Sequence, residues 1–85
     1  MAKYKILLKK SAEKELAKIP TQDCKRIVKR IKSLRDEPRP FGTQKLNNNE
    51  LYRIRQGNYR IVYTVQDNEL IIWVIKIGHR REVYR

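Results

Sequence analysis

The stretch Leu51-Tyr52-Arg53-Ile54-Arg55-Gln56-Gly57-Asn58-Tyr59-Arg60-Ile61-Val62-Tyr63-Thr64-Val65 decides the fold. Both of its arms carry the period-2 pattern of a half-buried strand, rich in aromatic and β-branched residues. Gly57-Asn58 between them is a two-residue hairpin signal, since both residue types tolerate the positive φ that such turns require. With that turn fixed, Gln56 faces Tyr59, Arg55 faces Arg60 and Arg53 faces Val62. Directly opposed residues share a face. Arg53, Arg55 and Arg60 therefore lie on one face, and Tyr52, Ile54, Tyr59, Ile61 and Tyr63 on the other. A one-residue slip in the turn sends Arg60 to the other face. The apolar and aromatic set is the face that meets the rest of the protein. Like charges directly across a strand pair are destabilising, so Arg55 opposite Arg60 marks either a tolerated cost or a used field.

Downstream, Asp67-Asn68 marks a second turn, and Leu70 to Ile77 is a third strand of nearly continuous apolar character. Gly78-His79-Arg80-Arg81-Glu82-Val83-Tyr84-Arg85 is a tail. Upstream, Asp36-Glu37-Pro38-Arg39-Pro40-Phe41-Gly42 breaks all periodicity and reads as a loop that Asn47-Asn48-Asn49 continues. Before it, Cys24, Ile27, Val28, Ile31 and Leu34 form the stripe of an amphipathic helix opened by Thr21 or Gln22. Lys25, Arg26, Lys29, Arg30 and Lys32 occupy its opposite face. A shorter helix carries Ala12, Leu16 and Ile19, with Ser11 as its expected N-cap, and Pro20 ends it. Tyr4 to Leu8 is a first short strand. Two helices joined by about two residues fold back as a hairpin. The order is β-α-α-β-β-β: an α+β fold in which a small antiparallel sheet is covered on one face by a helical hairpin, forming one domain over residues 1–85.

Composition narrows the function. Among 85 residues, 21 Lys and Arg oppose 9 Asp and Glu, a formal net charge of +12. A domain this basic meets a polyanion such as RNA or DNA, an anionic membrane or an acidic protein. The single cysteine, Cys24, excludes an internal disulfide framework, and the single histidine, His79, excludes a histidine-based zinc site. No apolar run reaches the roughly 20 residues of a membrane span, and the start lacks the features of a signal peptide. A reducing, cytoplasmic setting without cofactor or metal is expected.

Three guanidiniums on one strand face suit phosphoryl oxygens, because the planar fork binds them bidentately and stays protonated. The same property makes arginine a poor general base. His79, with its ordinary pKa near 6.5, is the obvious proton carrier in the tail. The tail is expected to bring His79 or Arg80, together with Tyr84, to the edge of the arginine face. Tyr84 can act at the 2′-hydroxyl of RNA or stack on a base. Trp73 falls on the Arg60 face and is a candidate wall of the site, although its apolar strand makes it a core candidate as well. Cys24, on the apolar stripe, reads as packing. No Gly-rich phosphate loop, acidic pair at metal-ligand spacing or Ser/His/Asp set occurs, so the expected chemistry is metal-free acid–base catalysis.

The pairing of Tyr52-Arg53-Ile54-Arg55 through Gly57-Asn58-Tyr59-Arg60-Ile61-Val62-Tyr63 with Gly78-His79-Arg80-Arg81-Glu82-Val83-Tyr84 resembles the RelE branch of the RelE/ParE toxins over essentially the whole chain. The resemblance implies the RelE-like fold and the toxin half of a type II toxin–antitoxin pair. It further implies a ribosome-dependent endoribonuclease that inhibits translation by cutting mRNA in the A site of the 70S ribosome. The RNA's own 2′-hydroxyl attacks the adjacent phosphate without a metal and leaves a 2′,3′-cyclic phosphate. By position, Arg53 and Arg55 stand where such enzymes bind and polarise the scissile phosphate. Arg60 matches the transition-state arginine, Arg80 the residue that helps protonate the leaving 5′-oxygen, and Tyr84 the residue that orients or activates the nucleophile. The best-studied pattern has lysines where this chain has Arg53 and Arg55, which leaves the general base open and raises the interest of His79. Lys25, Arg26, Lys29, Arg30 and Arg81, with Arg53 and Arg55, are the expected RNA- and ribosome-binding cations.

Two other classes compete. One is a ParE-like toxin on the same scaffold that poisons DNA gyrase without nuclease activity; Arg60, Arg80 and Tyr84 together argue against it. The other is a non-catalytic RNA- or ribosome-binding module. Either toxin reading implies an acidic, RelB-like antitoxin, partly disordered, that folds on the basic surface to give a toxin–antitoxin hetero-oligomer.

Overall fold

The change from a 3.6-residue to a 2-residue hydrophobic period near residue 50 separates two layers. The computed structural model describes residues 3–46 and 50–79. Strand β1 (Lys5–Leu8) leads into α1 (Lys10–Lys18) and α2 (Thr21–Ser33). Strands β2 (Gln44–Lys45), β3 (Leu51–Gln56), β4 (Tyr59–Gln66) and β5 (Ile71–His79) follow. The sheet order is β1-β5-β4-β3-β2.

Two features of this sheet differ from the sequence-based expectation. It is mixed, because β1 pairs parallel to β5 while every other pair is antiparallel. The helical pair acts as the crossover that lets the first strand lie alongside the last, so β5 is hydrogen-bonded on both sides. The second difference is β2: two residues of the expected loop pair with β3, Gln44 opposite Arg53 and Lys45 opposite Tyr52. A two-residue edge strand has no periodicity to reveal it.

Both helices bury the predicted stripe. Ala12 of α1, Ile27 and Ile31 of α2, and Leu34 just beyond it are almost completely buried against Ile54, Ile61 and Tyr63 of the sheet. Each such Ile or Leu contributes about 1.5–3 kcal/mol relative to exposure. Cys24 and Val28 are only half-buried. Ser11 is not the N-cap of α1: that position is Lys9, in extended conformation and without a side-chain cap bond. The Ser11 hydroxyl instead donates to the Ile75 carbonyl at 3.1 Å, tying α1 to β5.

The hairpin register is the one the two-residue turn dictates, with Arg55 opposite Arg60 and Arg53 opposite Val62. Between β4 and β5 the register shifts once. Tyr63 pairs with Val74 but Val62 pairs with Lys76, so Ile75 is an extra residue. This bulge follows from the spacing of the apolar positions. Ile72, Val74 and Ile77 are all fully buried, and they step by two and then by three. Strict alternation would point Lys76 into the core and Ile77 away from it. One inserted residue corrects both.

Candidate functional site

On the sheet face away from the helices, β3 and β4 bring Arg53, Arg55 and Arg60 together. Arg53 and Arg60 are each only 6% exposed, the only buried charged side chains among the described residues, whereas Arg55 is exposed. Burial, and secondarily the charge of Arg55, hold the Arg53 guanidinium below its ordinary pKa. The Gln44 side-chain carbonyl accepts a hydrogen bond from the Arg53 guanidinium, which fixes its direction from the edge strand β2. On the other flank Arg60 pairs with Gly78 of β5, which contributes no side chain, so the Arg55 and Arg60 guanidiniums dominate this end of the face. Lys76, opposite Val62, adds an exposed cation on the same side. The arrangement can hold an anion and stabilise charge that develops on it.

The bulge at Ile75 redirects His79. It pairs with Tyr59, not with Arg60, and its ring stands edge-on to the Tyr59 ring with centroids 5.8 Å apart. Tyr59 packs against the hydrophobic core, so His79 lies on the helix side of the sheet and not beside the arginines. Arg80, Arg81 and Tyr84 lie outside the described residues. Trp73 does share the arginine face, but it pairs with Thr64, four residues along β4 from Arg60 and hence about 14 Å away. Its ring lies under Lys9 Nζ at 4.2 Å and forms no wall for the arginine cluster. Cys24 lines an apolar groove of about 550 Å³ between the helices, with Leu16 and Val28.

The helix cations form a separate surface. Because α2 covers the core face, Lys25, Arg26, Lys29 and Arg30 lie across the sheet from Arg53, Arg55 and Arg60. Arg26, Lys29 and Arg30 converge with Ser33 and Gln56 around a cleft of about 370 Å³.

A third polar cluster secures the loop after α2. The Arg39 guanidinium donates to Asp67 at 2.8 and 3.3 Å, to Glu50 at 3.0 Å and to the Tyr52 hydroxyl at 2.9 Å. The Tyr52 hydroxyl donates to Glu50, and that of Tyr4 donates to Asp67 at 2.6 Å. Hydrogen bonds from Arg39 and then Tyr4 hold the Asp67 carboxyl below its ordinary value; those from Tyr52 and then Arg39 do so for Glu50. Behind this cluster the fully buried Tyr63 donates to the Pro38 carbonyl at 2.7 Å, and burial pushes its phenol up.

Comparison with known proteins identifies the scaffold. The family model described as the ParE toxin of the type II toxin–antitoxin system parDE matches residues 6–84. The chain belongs to the RelE/ParE toxin superfamily. Within it the chain is RelE-like. It is 30% identical over 87 aligned positions to a protein of Methanocaldococcus jannaschii named as toxin RelE1, covering 98% of this chain and 97% of the relative. The RelE–RelB complex of Pyrococcus horikoshii superposes with a TM-score of 0.82 at 26% identity, covering 94% of this chain and 98% of that one. The isolated RelE toxin of E. coli gives 0.81 at 27%, covering 95% and 90%.

Sequence reasoning missed two residues that shape this toxin. Gln44, which directs Arg53, sits in a segment without periodicity. Arg39, which fastens the loop, finds its carboxylates 11 and 28 residues away. Long-range ion pairs leave no local trace. The position of His79 was recoverable: the two-then-three spacing of Ile72, Val74 and Ile77 around Lys76 announces the bulge.

Proposed function

We propose that this type II toxin is a ribosome-dependent endoribonuclease that cleaves mRNA in the A site. The observation that carries the reading is the pair of buried guanidiniums, Arg53 and Arg60, with Arg55 directly opposite Arg60 on one strand face. A fold gains no stability from like charges held there; a bound phosphate would offset their repulsion. In this reaction the 2′-oxygen forms a bond to phosphorus, the bond from phosphorus to the 5′-oxygen breaks, and the products are a 2′,3′-cyclic phosphate and a 5′-hydroxyl. Arg53, aimed by Gln44, and Arg55 bind the non-bridging oxygens. Arg60 stabilises the charge that grows on them in the pentacoordinate state, where preorganised donors act most strongly. Tyr84 activates the 2′-hydroxyl and Arg80 helps deliver a proton to the leaving 5′-oxygen, roles that rest on the match of their positions to the RelE pattern. His79, on the Tyr59 side of the sheet, is the candidate that this geometry supports least. The cations of α2 serve as a second contact for ribosomal RNA, and an acidic RelB-like antitoxin neutralises the toxin. Relatives solved as RelE–RelB complexes support that partner.

The test is cleavage of a defined mRNA with and without programmed 70S ribosomes, comparing wild type with Arg60→Ala and Tyr84→Phe. Cuts confined to ribosome-bound message and lost in both variants are expected. The description of the matched family model keeps a second reading in play, a toxin that binds gyrase. Inhibition of supercoiling by wild type that cuts nothing on ribosomes would favour it.

A further inference from the structure

We propose that Phe41 is a fixed aromatic platform on which an unpaired RNA base stacks beside the arginine face. The inference rests on the RNA-directed reading above and adds a contact to it. Phe41 is fully exposed at 102%, while the other large exposed apolar side chains among the described residues, Leu46 and Leu70, are at 40% and 38%. Single exposed apolar residues are ordinary on protein surfaces. This one differs in the extent of its exposure, and the loop that bears it is held on both sides. On its N-terminal side the Pro38 carbonyl is held by Tyr63 and the Arg39 guanidinium by Asp67, Glu50 and Tyr52. On its C-terminal side Gln44 pairs with β3 and receives the Arg53 hydrogen bond. Phe41 itself occupies the corner of a turn closed by the Thr43 amide on the Pro40 carbonyl at 3.0 Å. Gly42 takes φ 95° there, a conformation that glycine adopts without strain. The ring buries nothing in the fold, yet the loop that bears it is pinned at both ends.

The surroundings select the occupant. Three Cα steps separate Phe41 from Gln44, a span of at most about 11 Å, and Gln44 touches Arg53. A base on the Phe41 ring and a phosphate on the arginines are therefore within reach of a single strand of RNA. The two nearby carboxylates, Glu50 and Asp67, are matched by two cations, Arg39 on both and Lys45 at 3.8 Å from Glu50, so the cluster carries no net negative charge against a polyanion. Single-stranded RNA combines the two chemistries that this edge offers, since bases stack on aromatic rings while phosphates track cations.

The experiment measures binding of a fluorescein-labelled 2′-O-methyl RNA dodecamer, and of an abasic dodecamer with the same backbone, to purified toxin by anisotropy. Phe41→Ala is expected to weaken RNA binding about 5- to 150-fold, the range for loss of one stacked base. The abasic oligomer should bind as to wild type, and Phe41→Trp should restore RNA affinity. RNA affinity unchanged in Phe41→Ala overturns the proposal, as does equal weakening for both oligomers. So does a loss confined to a protein partner. Wild type that binds neither oligomer nor programmed ribosomes would instead sink the RNA-directed reading itself. Phe41→Ala should melt at the wild-type temperature, which separates loss of stacking from loss of fold.

Discussion

Replacing Arg55 with threonine should stabilise the toxin while disabling it. Arg55 and Arg60 are direct cross-strand partners, and Arg60 is buried while Arg55 is exposed. At a charge separation of about 7 Å, Coulomb's law gives roughly 0.6 kcal/mol in water and roughly 2.4 kcal/mol at an effective dielectric of about 20. Arg55 is open to solvent, so the lower half of that range applies, about 0.6–1.5 kcal/mol. Threonine also suits a strand. In a domain of this size each kcal/mol moves the melting temperature by about 4–8 °C, so a rise of about 2–12 °C is expected by circular dichroism at low salt. The salt dependence identifies the cause. Near 1 M the screening length falls to about 3 Å, so the difference between variant and wild type should shrink to that of strand propensity alone. Affinity for RNA should fall in the same variant. Unchanged melting temperature, or a gain of equal size at low and high salt, would refute the claim that opposed arginines are kept at the expense of stability.

Three further outcomes are expected. Tyr63→Phe leaves the Pro38 carbonyl without its buried donor, a loss of about 1–3 kcal/mol that thermal melts should register as a drop of several degrees; a change within error would show that the loop is held by Arg39 alone. Asp67 and Glu50 have folded-state values below their unfolded ones, so their contribution is present above the ordinary carboxylate range and is lost as pH falls through the lowered values. Melting temperature followed downward from pH 7 should decline more gently in Asp67→Asn than in wild type, and parallel curves would contradict the assignment. His79→Ala should retain ribosome-dependent cleavage while Arg60→Ala loses it, and the reverse order in a single-turnover assay would move the proton carrier back to the histidine.

The part of this molecule legible in its sequence is the part governed by local chemistry. A two-residue Gly57-Asn58 turn leaves only one register for the hairpin, and the common face of Arg53, Arg55 and Arg60 follows from that register alone. Likewise the stripe through Ile27, Ile31 and Leu34 needs only the helical period. What escaped reading depends on the rest of the chain. Strand β2 exists because β3 offers it an edge, β1 turns parallel because the last strand reaches it, and Ser11 leaves its expected cap for a carbonyl of β5. Arg39 gathers acids that no spacing rule connects. His79 falls between these cases, since its side is set by a bulge whose cause is written in the positions of Ile72, Val74, Lys76 and Ile77.

That extra residue in β5 works like a frame shift inside a strand. Upstream of Ile75 the odd-numbered positions face the cations; downstream the even-numbered ones do, with Gly78 and not His79 beside Arg60. An insertion or deletion between the bulge and the strand's end would exchange the two and set an imidazole against a buried guanidinium. Length variation among related chains is therefore expected to spare Ile71–His79. For a newly sequenced chain of this family, the step of two followed by three would by itself show which of its last strand residues look towards the arginines.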